Sequence, residues 1–335
     1  MAPKRSNTDL QQDLYFRSPF CVVWEITDSC NLSCVHCRAS CENSQKIRRN
    51  RVVEELVLDY VLKEKVFVVN LSGGEPLLHP EIVQITDFLT TQGVWVGIST
   101  NGLVWGKFAR RLCDVGLRYI QVSVDGPANI HNHIRGNPLS YNKAIETLLS
   151  AKSLGLKTQI NTVISRLTAP FLEDMYNLAE QVDASLHFRR FIPTGRGLEN
   201  KKIMLAKDEH HLLIDKMIEL QNRGRVDIDI EDPLIITAKP VIDKTAIGCS
   251  AGVTQIGIST SGDIYPCIFF RMAVGNITDK SFSEIWNHSE ILKALRCRSI
   301  QPCSECVFSR NCGGCRACAT AYDKEDPYCL GPIRY

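Results

Sequence analysis

The stretch FCVVWEITDSCNLSCVHC, residues 20–37, decides the fold. Its first part is an apolar, β-branched run from Phe20 to Ile26, which is typical of a buried strand. Three cysteines follow at once with the spacing Cys-x3-Cys-x2-Cys, namely Cys30, Cys34 and Cys37. Thiolates this close together can wrap one face of a small inorganic cluster. The stretch therefore predicts a buried strand that ends in a metal-binding loop.

Five further apolar runs of the same kind follow along the chain. They are Val66 to Leu71, Val94 to Ser99, Arg118 to Val124, Leu156 to Ile164 and Ser185 to Phe191. Segments of helical period lie between them, and their apolar faces are Val53, Leu56, Val57, Tyr60 and Val61; Ile82, Ile85, Phe88 and Leu89; and Ile145, Leu148, Leu149 and Leu154. This alternation predicts an α/β fold with parallel strands and outer helices. Six units are too few for a closed eightfold barrel, so we predict a partial (β/α)6 TIM-like barrel, with an open doubly wound sheet as the alternative.

Polar and glycine-containing segments come directly after four of these strands. They are Cys30, then Ser72-Gly73-Gly74-Glu75-Pro76, then Thr100-Asn101-Gly102, and then Asp125-Gly126. Because ligands bind at the carboxyl ends of strands in such folds, these segments predict a ligand site on one rim. Each segment would also suit an ordinary turn or cap, which stays open as the alternative.

The totals restrict the class of protein. The chain has 335 residues, 39 basic and 37 acidic residues, and this balance gives no case for nucleic acid or an anionic membrane as a partner. It has neither a signal peptide nor an apolar run long enough to span a bilayer, so we expect a cytoplasmic protein. Of its 15 cysteines, five lie between Cys21 and Cys41 and nine between Cys249 and Cys329. In a reducing compartment, clustered cysteines indicate metal binding.

The first cysteine cluster carries a family resemblance. Residues 30–37, CNLSCVHC, resemble the signature of the radical S-adenosylmethionine (radical SAM) superfamily, although His36 stands where that family usually has an aromatic residue. The resemblance implies a 4Fe–4S cluster held by Cys30, Cys34 and Cys37, whose open iron chelates S-adenosylmethionine. It also implies reductive cleavage of this cosubstrate to a 5′-deoxyadenosyl radical, which abstracts a hydrogen atom from the substrate. The family fold is a partial six-unit barrel.

The resemblance also implies roles for the rim residues as cosubstrate contacts. Gly73, Gly74, Glu75 and Pro76 resemble the family's GGEP motif, whose glycines allow close approach and whose glutamate accepts from the ammonium group. Arg135 resembles the arginine that pairs with the cosubstrate carboxylate. The contacts implied for the ribose and methionine portions are Asn101, Ser123 and Asp125, with Asn161 as a further candidate.

The C-terminal cysteines carry a second resemblance. Their order is Cys249-x12-Gly262-x4-Cys267, then Cys303-x2-Cys306-x5-Cys312-x2-Cys315-x2-Cys318, and last Cys329. Two Cys-x2-Cys pairs alone would suit a zinc ribbon, but the whole set exceeds what one zinc ion needs. The set resembles a SPASM domain, which holds auxiliary 4Fe–4S clusters, although that pattern usually has three residues where Cys312 and Cys315 are separated by two. The resemblance implies a nearer cluster on Cys249, Cys267 and Cys315, an outer cluster on Cys303, Cys306, Cys312 and Cys329, and Cys318 as a spare candidate.

These assignments divide the chain into three parts. We predict an N-terminal tail over residues 1–17, a radical SAM barrel over 18–235 and a SPASM domain over 236–335. The segment from Ala206 to Asn222, inside the second part, predicts a helix.

Auxiliary clusters predict a net oxidation, and we expect the substrate to be a ribosomally made peptide. Cys30 lies close to the start of the chain, so we expect any leader-binding partner to be a separate protein. An external electron donor such as flavodoxin or ferredoxin is also expected. Trp24-Glu25-Ile26-Thr27 and Pro193-Thr194-Gly195-Arg196-Gly197 resemble alternative haem-pathway enzymes, so decarboxylation or side-chain removal on a tetrapyrrole is the alternative. An iron–sulfur carrier or a zinc-binding module is the alternative of another class.

Overall fold

A computed structural model of the chain describes residues 16–41, 49–238, 248–297, 303, 306–308, 311–321, 325–329 and 331. Residues 1–15 of the predicted tail lie outside the described residues.

Ten strands form one sheet. They are β1 (Cys21–Thr27), β2 (Val68–Gly73), β3 (Trp95–Thr100), β4 (Tyr119–Ser123), β5 (Lys157–Ile164), β6 (Ser185–Arg190), β7 (Ile228–Glu231), β8 (Gln255–Ile258), β9 (Asp263–Tyr265) and β10 (Gly275–Asn276). The order in the sheet is β10-β9-β8-β1-β2-β3-β4-β5-β6-β7. Every pair from β8 through β1 to β7 is parallel, and only the pairs of β9 with β8 and β10 are antiparallel. Among the described residues the sheet stays open, which confirms the predicted partial barrel.

Twelve helices are described, most of which lie between the strands of the barrel. They are α1 (Arg51–Lys63), α2 (Ile82–Thr91), α3 (Ala109–Asp114), α4 (Ala128–Arg135), α5 (Ser140–Ser153), α6 (Leu172–Gln181), α7 (Arg196–Glu199), α8 (Lys207–Asn222), α9 (Ile235–Ala238), α10 (Phe282–His288), α11 (Glu290–Arg296) and α12 (Arg316–Ala321). The predicted helix from Ala206 to Asn222 corresponds to α8. In the described part of the chain, each helix is too short or too polar to cross a membrane.

Helix α1 shows why the local sequence takes this form. The Asn50 side chain accepts a hydrogen bond from the Val53 N–H at 3.3 Å and so caps the helix. The predicted apolar face is confirmed, since Val53, Val57 and Val61 are buried against the sheet. The two other predicted faces are less complete, because Phe88 on α2 is 39% exposed and Leu149 on α5 is 53% exposed. Both residues stand at the edge of their helical stripe, where helical period alone does not separate buried from exposed positions.

Four strands extend the sheet beyond the six predicted units, β7 at one edge and β8, β9 and β10 at the other. Strand β7 pairs with β6, and β8, which comes after residue 248, pairs with β1 in the register Cys21↔Gln255 to Trp24↔Ile258. The C-terminal region therefore continues the barrel sheet at its first strand. The predicted boundary between barrel and SPASM domain at residues 235 and 236 stays a prediction, and it falls inside the short helix α9.

Candidate active site

A central pocket lies at the carboxyl ends of the parallel strands. Because parallel strands bring these ends to one edge of the sheet, residues that are distant in the sequence meet there. The predicted site residues that line the pocket are Cys30, Cys34, Cys37, Gly73, Gly74, Glu75, Asn101, Ser123, Arg135 and Asn161. Pro76 and Asp125 are buried but are not part of this lining.

The three cysteines of the first loop present thiols to this pocket. All 15 cysteines lie in the described part of the chain, and none of them forms a disulfide. Burial raises the pKa of Cys30 to about 12 and also raises the pKa of Cys34. A hydrogen bond from Cys41 lowers the pKa of Cys37. Three unbridged thiols around one cavity match the soft ligand set of an iron–sulfur cluster, which binds them as thiolates.

Two residues that sequence reasoning missed hold this loop in place. Arg196, at the start of α7, donates from Nη1 to the Cys34 carbonyl oxygen and from Nη2 to the Cys41 carbonyl oxygen, both at 3.0 Å. Asn200 Nδ2 donates to the Val35 carbonyl oxygen at 3.0 Å. Both residues donate to backbone carbonyls of an irregular loop, and the Cys34 carbonyl also accepts from the Cys37 N–H at 3.2 Å. The only signal in the sequence was the glycine-rich loop that contains Arg196.

Asp125 lies at the centre of a buried ion-pair network behind the pocket. Arg135 donates to its Oδ2 from Nε at 2.8 Å, and His36 Nε2 lies 2.9 Å from the same oxygen. The Val163 N–H donates to Oδ1 at 3.1 Å. Burial opposes ionisation, but Arg135 and His36 hold the pKa of Asp125 well below its usual range. With no exposed surface and both oxygens occupied, Asp125 orients Arg135 and His36, and its contact with the cosubstrate stays a prediction.

The two glycines after β2 pack directly against the cysteine loop. Gly73 has a φ of +129°, a conformation that residues with a side chain rarely adopt. A Cβ atom on Gly74 would lie only 2.1 Å from the Ser29 carbonyl oxygen and 3.2 Å from Cys30 Cβ. Glycine is therefore required at residue 74, because two backbone segments touch there.

Glu75 is almost fully buried beside these glycines. Its Oε1 accepts from Thr100 Oγ1 at 2.6 Å, and its Oε2 accepts from the Asn101 N–H at 2.8 Å. Burial raises the pKa of Glu75 to about 7 in spite of these hydrogen bonds. A carboxylate that is held rigidly and already partly compensated can gain an ammonium partner with little rearrangement.

The interior of the barrel is polar, although interiors of this kind are usually packed with bulky apolar side chains. Asn70 Nδ2 donates to Ser99 Oγ at 2.9 Å, and Ser99 Oγ donates to Gln121 Oε1 at 3.0 Å. Gln121 Nε2 lies 2.9 Å from His187 Nδ1, and His187 Nε2 lies 3.1 Å from Glu231 Oε2. The first three of these residues line the pocket. This polar row indicates a binding cavity rather than a solid core.

The C-terminal region supplies one wall of the pocket through Phe269. The centre of its ring lies 5.0 Å from Arg189 Cζ and 5.7 Å from Arg38 Cζ, and all three residues line the pocket. Arg38 is held by hydrogen bonds to Glu25 and to Ser72 Oγ. An aromatic ring close to two guanidinium groups offers a surface for stacking and for anionic groups.

The cysteines after residue 248 sort into two neighbouring sets. Within electrostatic reach of one another are Cys249, Cys267 and Cys315 in the first set, and Cys303, Cys306, Cys312 and Cys329 in the second. Cys318, which is completely buried, donates a hydrogen bond to Cys315 and so lies beside the first set. The division is the one that the family resemblance implies, while the ligand roles stay a prediction.

The same region bears on the zinc alternative. Within the described residues, no three His, Cys, Asp or Glu side chains converge closely enough to hold a single metal ion. Zinc needs its ligands at one point, whereas a 4Fe–4S cluster distributes its thiolates over several irons. The zinc-binding module stays the alternative of another class.

Two family models match the chain. The one described as the radical SAM superfamily matches residues 24–179, and the one described as an iron-sulfur cluster-binding domain, SPASM, matches residues 249–319.

Individual relatives match most of the chain. It is 28% identical over 339 residues to AdoMet-dependent heme synthase of Methanosarcina barkeri, covering 93% of this chain and 97% of that one. It is 29% identical over 331 residues to mycofactocin maturase MftC of Mycobacterium tuberculosis, covering 93% of this chain and 83% of that one. The structure of Streptococcus suis SuiB bound to S-adenosylmethionine matches with a TM-score of 0.74 at 17% identity, over 96% of this chain and 78% of that one. This last likeness concerns the fold alone.

Proposed function

The chain belongs to the radical SAM superfamily and carries a SPASM domain, and from this premise we propose that it oxidatively modifies a ribosomally made peptide. It is an enzyme whose cofactors are 4Fe–4S clusters and S-adenosylmethionine, as the sequence predicts. The chemistry that these groups supply when bound is reductive cleavage of S-adenosylmethionine to a 5′-deoxyadenosyl radical, which abstracts a hydrogen atom from the substrate.

Cys30, Cys34 and Cys37 hold the catalytic cluster in this proposal. Their thiols line one cavity, and Arg135 Nη1 donates to Cys34 Sγ at 3.8 Å, which favours the thiolate. The contact of Gly74 with Ser29 keeps the loop that carries Cys30 against the rim.

S-adenosylmethionine lies along the same rim in this proposal. Glu75 accepts from its ammonium group and Arg135 faces its carboxylate, while Asn101, Ser123 and Asn161 contact the rest of the molecule. Support comes from Asn161, whose buried Oδ1 has no hydrogen-bond partner among the described residues although the residue lines the pocket. A buried acceptor without a partner is costly unless a ligand satisfies it.

We assign two auxiliary clusters to the C-terminal cysteines. Cys249, Cys267 and Cys315, with Cys318 beside them, hold the nearer cluster, and Cys303, Cys306, Cys312 and Cys329 hold the outer one. The nearer set adjoins the pocket, since the Phe269 N–H donates to Cys267 Sγ at 3.5 Å and the Phe269 side chain lines the pocket. This proximity suits exchange of an electron between the substrate and the nearer cluster.

The observation that carries the peptide substrate is the polar floor of the barrel. Asn70, Ser99 and Gln121 line the pocket with amide and hydroxyl groups, which are both donors and acceptors. Such groups match the alternating donors and acceptors of a peptide backbone. A tetrapyrrole macrocycle would instead need a broad apolar slot at this position in the barrel. The similarity to mycofactocin maturase MftC, at 29% identity over most of the chain, also supports the proposal of a maturation enzyme.

A tetrapyrrole is the second candidate, and Phe269 favours it. Its ring, with Arg38 and Arg189 close to it, offers a surface for stacking and two cations for carboxylate groups. The similarity to AdoMet-dependent heme synthase at 28% identity supports the same alternative.

The proposal includes partners and a location. A one-electron donor such as flavodoxin or ferredoxin reduces the protein, and a separate leader-binding protein presents the peptide. The work takes place in the cytoplasm, where thiolates stay reduced.

The test is an anaerobic assay. The chain is reconstituted with iron and sulfide, reduced, and supplied with S-adenosylmethionine together with either a short peptide encoded beside its gene or iron-bound coproporphyrin. Roughly twelve irons, deoxyadenosine formation and a peptide of reduced mass are the expected results. The control is a variant with Cys30, Cys34 and Cys37 all replaced by Ala, which should form no deoxyadenosine. A mass change in the tetrapyrrole alone would reject the peptide in favour of the second candidate.

A further inference from the structure

Arg190 connects the pocket with the C-terminal cysteines. It is the last residue of β6, lines the pocket, and is 4% exposed. Its Nη1 donates to Asp326 Oδ1 at 3.1 Å, and its Nη2 donates to Asp326 Oδ2 at 2.5 Å. This is a bidentate, fully buried ion pair between the barrel and the cysteine-rich segment, more than a hundred residues later in the chain.

Asp326 also binds the backbone of the segment that carries Cys315, a member of the nearer set of thiols. Its Oδ2 also accepts from the Cys315 N–H at 2.8 Å, and its Oδ1 accepts from the Tyr328 N–H at 3.2 Å. The Tyr328 ring stacks on His210 at 3.9 Å, which closes the far side of the pair. The Asp326 carboxylate thus links the Cys315 backbone to Arg190.

The charge of Arg190 also acts on these thiols. One carboxylate oxygen separates the guanidinium from the Cys315 backbone, since Asp326 Oδ2 accepts from both Arg190 Nη2 and the Cys315 N–H. The second carboxylate beside Arg190 is Asp232, whose Oδ2 lies 3.6 Å from Nε. In a buried environment of low dielectric, such a charge is poorly screened. Net charge and hydrogen bonds around the sulfurs set the reduction potential of an iron–sulfur cluster.

We propose that Arg190 is a positioning residue that holds the Cys315 segment against the pocket and raises the reduction potential of the cluster bound there. The inference rests on the auxiliary clusters of the proposed function. A positive charge stabilises the reduced, more negative form of the cluster, so the cluster accepts an electron more readily than it would without Arg190. The same side chain lies in the pocket wall, so the cluster is tuned from the side on which the substrate binds.

The test uses the full chain with Cys30, Cys34 and Cys37 replaced by Ala, so that only the auxiliary clusters contribute to the measured signal. Midpoint potentials are measured by redox titration monitored by electron paramagnetic resonance. We expect Arg190→Gln to lower one midpoint potential, whereas Arg190→Lys, which keeps the charge, leaves it unchanged. Arg189→Gln is the matched control, because Arg189 is the preceding residue and pairs with Glu231 and not with Asp326. Equal potentials in Arg190→Gln and its parent, or an equal shift in Arg189→Gln, would overturn the proposal.

If Arg190→Gln does not fold, a second pair of variants tests the same proposal. Asp326→Asn and the double variant Arg190→Gln/Asp326→Asn both lack the charged carboxylate, so their difference isolates the arginine. We expect the double variant to have the lower potential, and identical potentials would reject the inference. Iron content separates this result from a failure of the proposed function, since a parent that binds far fewer than roughly eight irons lacks the auxiliary clusters themselves.

Discussion

Replacement of Gly74 by Ala tests the close contact between the rim and the cysteine loop. The new Cβ atom would lie 2.1 Å from the Ser29 carbonyl oxygen, and real Cβ atoms essentially never approach other atoms within 3.0 Å. The two backbone segments must therefore separate by about 0.9 Å, since neither partner is the end of a flexible side chain. The displacement falls on Ser29, which directly precedes Cys30.

The expected consequence is a loss of rate rather than a loss of fold. A displacement of about 1 Å in a reacting centre costs roughly a hundredfold in rate. We therefore expect Gly74→Ala to form deoxyadenosine about a hundred times more slowly than the parent, in the anaerobic assay with S-adenosylmethionine and a chemical reductant. The auxiliary clusters should remain, so iron content should fall by no more than one cluster's share.

The matched control is Gly106→Ala. Gly106 is exposed in the short 3₁₀ helix Trp105–Lys107 that follows β3, and a Cβ atom there would meet no heavy atom within 4 Å. This variant should retain the rate of the parent. A Gly74→Ala enzyme that is as fast as Gly106→Ala would refute the argument that backbone contact at the GGEP turn fixes the cysteine loop.

Three other variants test separate parts of the site. Because the pKa of Glu75 is raised to about 7, the carboxylate that accepts the ammonium group is lost as the pH falls through 7. The affinity for S-adenosylmethionine, measured by equilibrium dialysis, should therefore fall over the same pH range. Glu75→Gln should bind the cosubstrate weakly at every pH, and an affinity of the parent that does not change with pH would contradict this role. Asp125→Asn leaves Arg135 with an uncompensated buried charge and should lower the free energy of unfolding, measured in urea, by about 3–5 kcal/mol. A loss below about 1 kcal/mol would mean that the Asp125–Arg135 pair contributes no more than an ordinary surface ion pair. Arg196→Ala removes two hydrogen bonds to the cysteine loop and should lower the amount of iron bound there. Arg223→Ala is the control, because the Arg223 guanidinium pairs with surface carboxylates, and its iron content should not change. Equal iron content in both variants would contradict the role of Arg196 in holding the loop.

The sequence predicts the barrel well because strand and helix periods are local signals. The run from Phe20 to Ile26 corresponds to β1, and the five later runs correspond to β2 to β6. Strand β7 was missed, since Ile228 to Glu231 is short and alternates with acidic residues. Strand β8 was missed because it lies among the cysteines, and its partner β1 is more than two hundred residues away in the sequence.

The site shows the same limit at the level of single side chains. Both Asp125 and Asn161 were predicted as ligand contacts from their place near strand ends. Only the packing separates them, because Asp125 turns back to Arg135 and His36 while Asn161 lines the pocket. Anchors such as Arg196 have no signal in their own neighbourhood, since the carbonyls that they satisfy lie far away in the sequence.

The pairing of β8 with β1 constrains how the two cysteine regions work together. A flexible linker would let the distance between the first loop and the C-terminal thiols vary. Here the C-terminal region is fixed at one end by the register from Cys21↔Gln255 to Trp24↔Ile258, and at the other by the buried pair of Arg190 and Asp326. Val23 of the first attachment and Arg190 of the second line the pocket, and Phe269 contributes to the same pocket wall. Adaptation to a particular substrate therefore requires changes in this wall rather than a movement of one cysteine region against the other.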